Sequence, residues 1–163
     1  MTKETPPSSL SKDRLRLWLK LLKTSSSIEA ELRRRLRDQF GSTLPRFDVM
    51  SALARTPEGL KMSEISSLLK VSNGNVTGIV ERLVEDGHAL RLAVPGDRRA
   101  NRVKLTAAGS KAFAELAAEH EGWINEMLGE FGPEQIETLS DLLEAVLHPA
   151  EKNEKSGSAA NAE

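Results

Sequence analysis

The sequence predicts a mainly α-helical fold that carries one small β-hairpin. Apolar residues recur at helical spacing over most of the chain. Two short helical patterns within residues 62–85 are followed at once by an alternating stretch and a Pro95-Gly96 turn. Long periodic helices lie on both sides of that segment.

In chain order, residues 1–9 (ending Pro6-Pro7-Ser8-Ser9) read as a disordered tail, and a long helix follows from Ser11 to Gln39, with Ser11 as its cap and Asp13 in its first turn. One apolar seam is Leu17, Leu21, Ile28, Leu32 and Leu36; a second is Leu15, Trp18, Leu19 and Leu22. A helix with two apolar seams needs cover from two sides, and in a chain this small a second subunit is the expected source of one cover. Gly41 to Pro45 ends the helix, and Arg46 to Arg55 forms a shorter one bearing Phe47, Met50, Leu53 and Ala54. After a Pro57-Glu58-Gly59 turn, Leu60-Lys61 is expected as a minimal strand pairing with the hairpin.

The next helix, Ser63 to Leu69, presents Ile65, Leu68 and Leu69. Its break at Val71-Ser72-Asn73-Gly74 offers Ser72 or Asn73 as cap for a helix whose inner face is Val76, Ile79, Val80 and Leu83. Two helices across so short a turn form a helix-turn-helix, whose second helix enters the DNA major groove. Asn73, Asn75, Thr77 and Arg82 are then the candidate readers. Asn pairs with adenine, a Thr methyl meets the thymine methyl, and Arg reaches guanine or phosphate. Ser72 adds a phosphate donor. The hairpin runs from His88 to Val94 and back from Arg102 to Leu105. Between His88 and Lys104, Arg91, Arg98, Arg99, Arg102 and Lys104 face only Asp97. Arginines on a projecting loop suit phosphates or the narrow minor groove, and Arg98, Asn101 and Arg102 are expected on phosphates. Thr106 caps a helix through Glu130, with Phe113, Leu116, Ala117, His120, Ile124, Met127 and Phe131 at helical spacing. After Gly132-Pro133 comes a last helix with Ile136, Leu139, Leu143, Val146 and Leu147; residues 150–163 read as a disordered tail.

The 163 residues carry a net charge of −1, but unevenly: residues 1–104 hold 20 Lys+Arg against 12 Asp+Glu, and residues 105–163 hold 3 against 12. A basic working face and an acidic pole follow. With no cysteine, disulfides and thiolate chemistry are excluded. Neither a membrane-spanning run nor a signal-peptide core is expected, so a cytoplasmic protein without membrane contact is. There is no glycine-rich phosphate loop, and His88, His120 and His148 are dispersed without metal or triad spacing. No catalytic residue, metal or cofactor is expected.

Asp97-Arg98-Arg99 followed by Val103-Lys104-Leu105-Thr106 resembles the wing signature of the MarR family of bacterial transcription regulators. The preceding Ser72-x-x-x-Val76-Thr77-x-x-Val80-x-x-Leu83 resembles that family's recognition helix. The resemblance covers about residues 10–148. It implies a winged helix-turn-helix at 45–106, flanked by a dimerisation helix at 10–44 and dimerisation helices at 107–149. It implies a homodimer on a palindromic operator of double-stranded DNA, most often a repressor. Arg99 matches the family's minor-groove arginine and Asp97 the acid that holds it. A small aromatic acid would bind between dimer helices and winged domain, lined by Trp18, Leu22, Arg46, Phe47, Met50 and His120, and would release the DNA. The stretch Thr43 to Asp48, with Val71 to Thr77, is similar to a subgroup tied to aromatic-acid catabolism, some of whose members respond to CoA thioesters. Arg33, Arg34, Arg35 and Arg37 would then be candidates for CoA phosphates, although ion pairs with Glu29, Glu31 and Asp38 explain most of that cluster. The alternative function is a winged-helix protein-interaction module without DNA binding, which the basic wing disfavours.

Overall fold

The computed structural model describes residues 9–69, 75–94 and 96–148, which divide into one unit up to Trp123 and a second from Ile124. Ser72 and Asn73, and the expected tails apart from Ser9, lie outside the described residues.

Helix α1 (Ser9–Phe40) already includes Ser9, so Ser11 sits within the helix and does not cap it. Its buried residues, Leu32 and Leu36, fall in the C-terminal third, whereas Leu15, Leu17, Trp18, Leu19, Leu21 and Leu22 are all exposed. Helix α2 (Leu44–Ala54) starts two residues earlier than expected. Thr43 Oγ1 accepts a hydrogen bond from Arg46 N at 3.3 Å, and Pro45 occupies the first turn, where its missing N–H has no bond to lose. Pro45 therefore starts a helix instead of ending one.

Strand β1 (Leu60–Lys61), helix α3 (Met62–Leu68), helix α4 (Val76–Glu85) and strands β2 (Ala89–Val94) and β3 (Asp97–Leu105) complete the central segment. The antiparallel sheet has the order β1-β3-β2, with Leu60 opposite Val103 and Ala89 opposite Leu105. The minimal strand at Leu60-Lys61 thus pairs with the hairpin as expected. Beta3 begins at Asp97 and not at Arg102, so most of the expected tip is strand. Gly59, at φ +86°, lets the chain turn into β1 against Val103, whose carbonyl oxygen would lie 2.8 Å from any Cβ at that position.

Val49 and Leu53 of α2, Ile65 of α3, Val80 and Leu83 of α4 and Val103 of β3 form one closed core. Each such side chain contributes about 1.5–3 kcal/mol by leaving water. Leu68, expected on the inner face of α3, is 61% exposed, which narrows that face to Ile65 with half-buried Leu69.

Helix α5 (Ala107–Met127) starts where expected: Thr106 Oγ1 accepts from Gly109 N at 3.0 Å and donates to Gly87 O at 2.6 Å. It ends at Met127, short of Glu130. Trp123, missing from the expected stripe, is buried and meets Phe40 edge-on with centroids 6.1 Å apart. In the second unit, helix α6 (Pro133–Leu147) has no buried residue, and Ile136, Leu139, Leu143, Val146 and Leu147 are all exposed.

Candidate nucleic-acid interface and effector clefts

The inner face of α4 is fixed by Val80 and Leu83, which turns Thr77, Glu81 and Arg82 outward. Asn75 is the N-cap: its Oδ1 accepts from Gly78 N at 3.2 Å. The expected cap at Ser72 or Asn73 is therefore corrected to Asn75. Any base contact from Asn75 is confined to its remaining amide groups. Thr77 and Arg82, five residues apart, project roughly 140° from each other around the helix. Arg82 lies toward α2, not beside Thr77, and borders a cleft with Arg46.

In the hairpin, Ala93 pairs with Asn101 and Val94 with Asp97. Between those pairs β2 advances one residue and β3 four, so residues 98–100 stand outside the register as a bulge at the tip. The backbone thus carries Arg98 and Arg99 at the far end of the sheet, next to Asp97. The predicted roles of those three side chains lie outside the described side chains. Asn101 and Arg91 are exposed. Arg102 is half-buried and its Nη1 donates to Gly59 O at 2.8 Å. Its guanidinium thus ties β3 to the turn before β1, and its other N–H groups remain for the expected phosphate contact.

The six effector candidates do not share one cleft. Arg46 and Met50 border a cleft of about 670 Å³ together with Phe40, Arg82, Asp86, His88 and Leu116. Phe47 and His120 border another of about 670 Å³, with Leu32, Arg55 and Leu69. Their rings stack at 4.4 Å and 20°. Burial pushes the His120 imidazole below its ordinary value, and Asp48 opposes that shift. Trp18 and Leu22 border neither cleft. The reason is distance along α1: Trp18 lies about 33 Å before Phe40, and Leu22 about 10 Å before Glu29, at 1.5 Å per residue.

Arg46 is paired across the fold. Its Nη2 donates to Asp86 Oδ2 at 2.7 Å and lies 3.2 Å from His88 Nδ1. These partners, 40 and 42 residues away in the chain, were missed in the sequence because no local pattern links them. The arginines of α1 are paired within the helix: Arg33 with Glu29, Arg34 with Glu31 and Asp38, Arg35 with Glu31, and Arg37 with Asp38. Hydrogen bonds from Arg34 and Arg35 hold the Glu31 carboxyl at about 2. Arg35 alone of the four is largely covered, with its guanidinium 6.0 Å from the Trp123 ring centre. Among the described residues no group of His, Asp or Glu is placed to hold a metal ion, and no helix is long and apolar enough to cross a membrane.

A helix pair crossed by a third helix and backed by a three-stranded sheet with a bulged hairpin defines a winged helix-turn-helix protein. A profile described as MarR family matches residues 40–100. A MarR family transcriptional regulator from Silicibacter pomeroyi is 34% identical, with 87% of this chain and 98% of that one covered at a TM-score of 0.73. The transcriptional activatory protein BadR of Rhodopseudomonas palustris is 31% identical over 107 residues, 63% of this chain. The match spans 61% of BadR, so the chain covers about three fifths of that relative's length. Sco3205 from Streptomyces coelicolor, solved in complex with DNA, is 22% identical at a TM-score of 0.72 and covers 87% of this chain and 94% of its own; it shares the fold. The chain belongs to the MarR family of transcription regulators.

Proposed function

We propose that this chain is a DNA-binding transcription regulator of the cytoplasm that grips a palindromic operator as a homodimer and is released by a small aromatic acid or its CoA thioester. The observation that carries the reading is the hairpin tip, where a bulge of three residues beyond the β2 register brings Arg98 and Arg99 to the far end of the sheet. Arginines held on a projecting tip serve phosphates and the minor groove without regard to sequence, while α4 supplies the base contacts. The second copy is called for by the exposed leucines of α1 and, separately, of α6, which a soluble monomer does not leave bare in such number. Two-fold pairing would set the α4 helices about 34 Å apart, one turn of DNA. The Phe47–His120 stack, with Arg55 on the same cleft, suits a carboxylated ring. In this reading the protein represses and its ligand relieves repression, whereas the relative BadR is by its name an activator.

The test is fluorescence anisotropy on the duplex upstream of the protein's own gene against a scrambled duplex, at fixed salt, then with benzoate and benzoyl-CoA. The expected preference is at least about 10³-fold, with affinity falling when the effective ligand is added. Equal binding to both duplexes would overturn the reading.

A further inference from the structure

We propose that Asn75 selects a keto base, guanine or thymine, at one position of each operator half-site, and that Gly78 holds the Asn75 amide for that contact. The inference rests on the DNA-binding reading above and gives it part of a base code. It starts from two competing uses of one side chain. A carboxamide has an acceptor oxygen and a donor amino group, and the pairing with adenine uses both: the amino group donates to N7 while the oxygen accepts from the N6 amino group. Here the oxygen is committed. Asn75 Oδ1 accepts from Gly78 N at 3.2 Å as the N-cap of α4, and the Asn75 carbonyl accepts from Ile79 N at 3.0 Å. A backbone N–H can be met only by an acceptor, so the end of the amide turned to the helix is the oxygen.

What remains for DNA is Nδ2, on an exposed side chain and with no acceptor among the described residues. An amino group alone reads the groove differently from a whole amide. In the middle of the major groove guanine O6 and thymine O4 are acceptors, whereas adenine and cytosine present amino donors there. Nδ2 bonds to a keto base and meets an amino base donor against donor. The adenine expected for Asn75 gives way to guanine or thymine.

Gly78 carries the second observation. It is not among the glycines with positive φ, so its backbone conformation is open to any residue. Glycine inside a helix is weaker than alanine, and α4 carries that weakness in its first turn. The missing side chain makes room for the Asn75 amide: a Cβ at position 78 would lie 3.2 Å from Nδ2 and 3.5 Å from Cγ. That is tight enough to push the amino group aside by a few tenths of an ångström. The amide is thus fixed at both ends, its oxygen by the N–H of Gly78 and its nitrogen by the bare Cα of the same residue. Gly78 is a positioning residue for the donor.

The test uses the full chain in selection from duplexes randomised over about 20 base pairs, enough for two half-sites one helical turn apart. Anisotropy on single-base variants of the selected duplex follows. The parent should favour guanine or thymine over adenine or cytosine at one position per half-site by about fivefold or more. Asn75→Asp keeps a capping oxygen and puts a second acceptor in place of Nδ2, so the preference there should reverse to adenine or cytosine, with other positions unchanged. Asn75→Ser also caps but has no amino group, and should bind the four bases at that position within about twofold of one another. Gly78→Ala should unfold at the same urea concentration as the parent or a higher one, yet lose about threefold or more of the keto preference. A glycine with only a structural part would not separate those two readings. A motif identical for the parent, Asn75→Asp and Asn75→Ser overturns the assignment to Asn75, as does a parent that selects adenine where those variants change the preference. An unchanged keto preference in Gly78→Ala overturns the part given to Gly78. These outcomes leave the operator-binding reading standing. A parent that enriches no motif at all overturns that reading, and this inference with it.

Discussion

The winged segment and the terminal helices carry the same kinds of residue and dispose of them in opposite ways. Val49, Ile65, Val80, Leu83 and Val103 are completely buried within the protomer, while Leu17, Trp18 and Leu19 of α1 and Leu142, Val146 and Leu147 of α6 are left in the open. The difference teaches that apolar content does not by itself make a core. In the winged segment three helices and a sheet converge from different directions and close over one another. In α1 and α6 single helices present leucines that stay exposed among the described residues, and the homodimer proposal supplies a cover for them.

Damage to each region in turn should have separate consequences. Leu83→Ala should cost about 2–5 kcal/mol in urea unfolding, since it opens a cavity in a closed core. Leu143→Glu on α6 should halve the mass in sedimentation equilibrium while leaving the folded winged segment's amide-exchange protection in place. If the α6 variant unfolds the winged segment as Leu83→Ala does, the two regions are not distinct. A smaller effect concerns the tip: Arg99→Ala should weaken binding to all duplexes and reduce the magnitude of the salt slope by about 1. A slope that does not change removes Arg99 from the phosphate or groove contacts.

The smallest expected effect is a pH dependence in the Phe47–His120 stack. His120 is held below its ordinary value of 6.5 by burial, with Asp48 opposing. The folded state therefore binds its proton less readily than the unfolded state. As pH falls through 6.5 the unfolded chain takes up that proton first, and stability drops. His120→Phe should flatten this part of the profile of urea midpoint against pH. Glu31 acts in the same direction over a lower range: its carboxyl, held at about 2 by Arg34 and Arg35, supports the fold above its ordinary value of 4.5, and that support is lost as pH falls from there toward 2.

Much of the fold was legible in the sequence because local rules decide it. The 3.6-residue spacing of Val76, Ile79, Val80 and Leu83 fixes the inner face of α4, and two residues, Leu60-Lys61, suffice for a strand once a hairpin edge is near. What was not legible depended on a choice among near-equals or on distance along the chain. Ser72, Asn73 and Asn75 are all good cap types within four positions, and among the described residues Asn75 accepts from a helix N–H, that of Gly78. Pro45 is compatible with ending one helix or beginning the next, and Thr43 decides for the latter. The tie of Arg102 to Gly59 and the pairing of Arg46 with Asp86 each cross about 40 residues, beyond any local periodicity. The candidate effector residues fall apart for the same reason: their chemical types are plain from the residues, and the length of α1 keeps Trp18 away from both clefts.

The measurement that tests the account most directly is operator binding as a function of half-site spacing. On the proposed palindromic operator, insertion of about five base pairs between half-sites turns one of them to the far side of the duplex. A rigid two-fold dimer should then lose affinity by about tenfold or more, and insertion of about ten base pairs should impair it differently, by distance and not by face. Unchanged affinity with the five-base-pair insertion, or equal affinity for an isolated half-site, would contradict the pairing of copies through the leucines that α1 and α6 leave exposed.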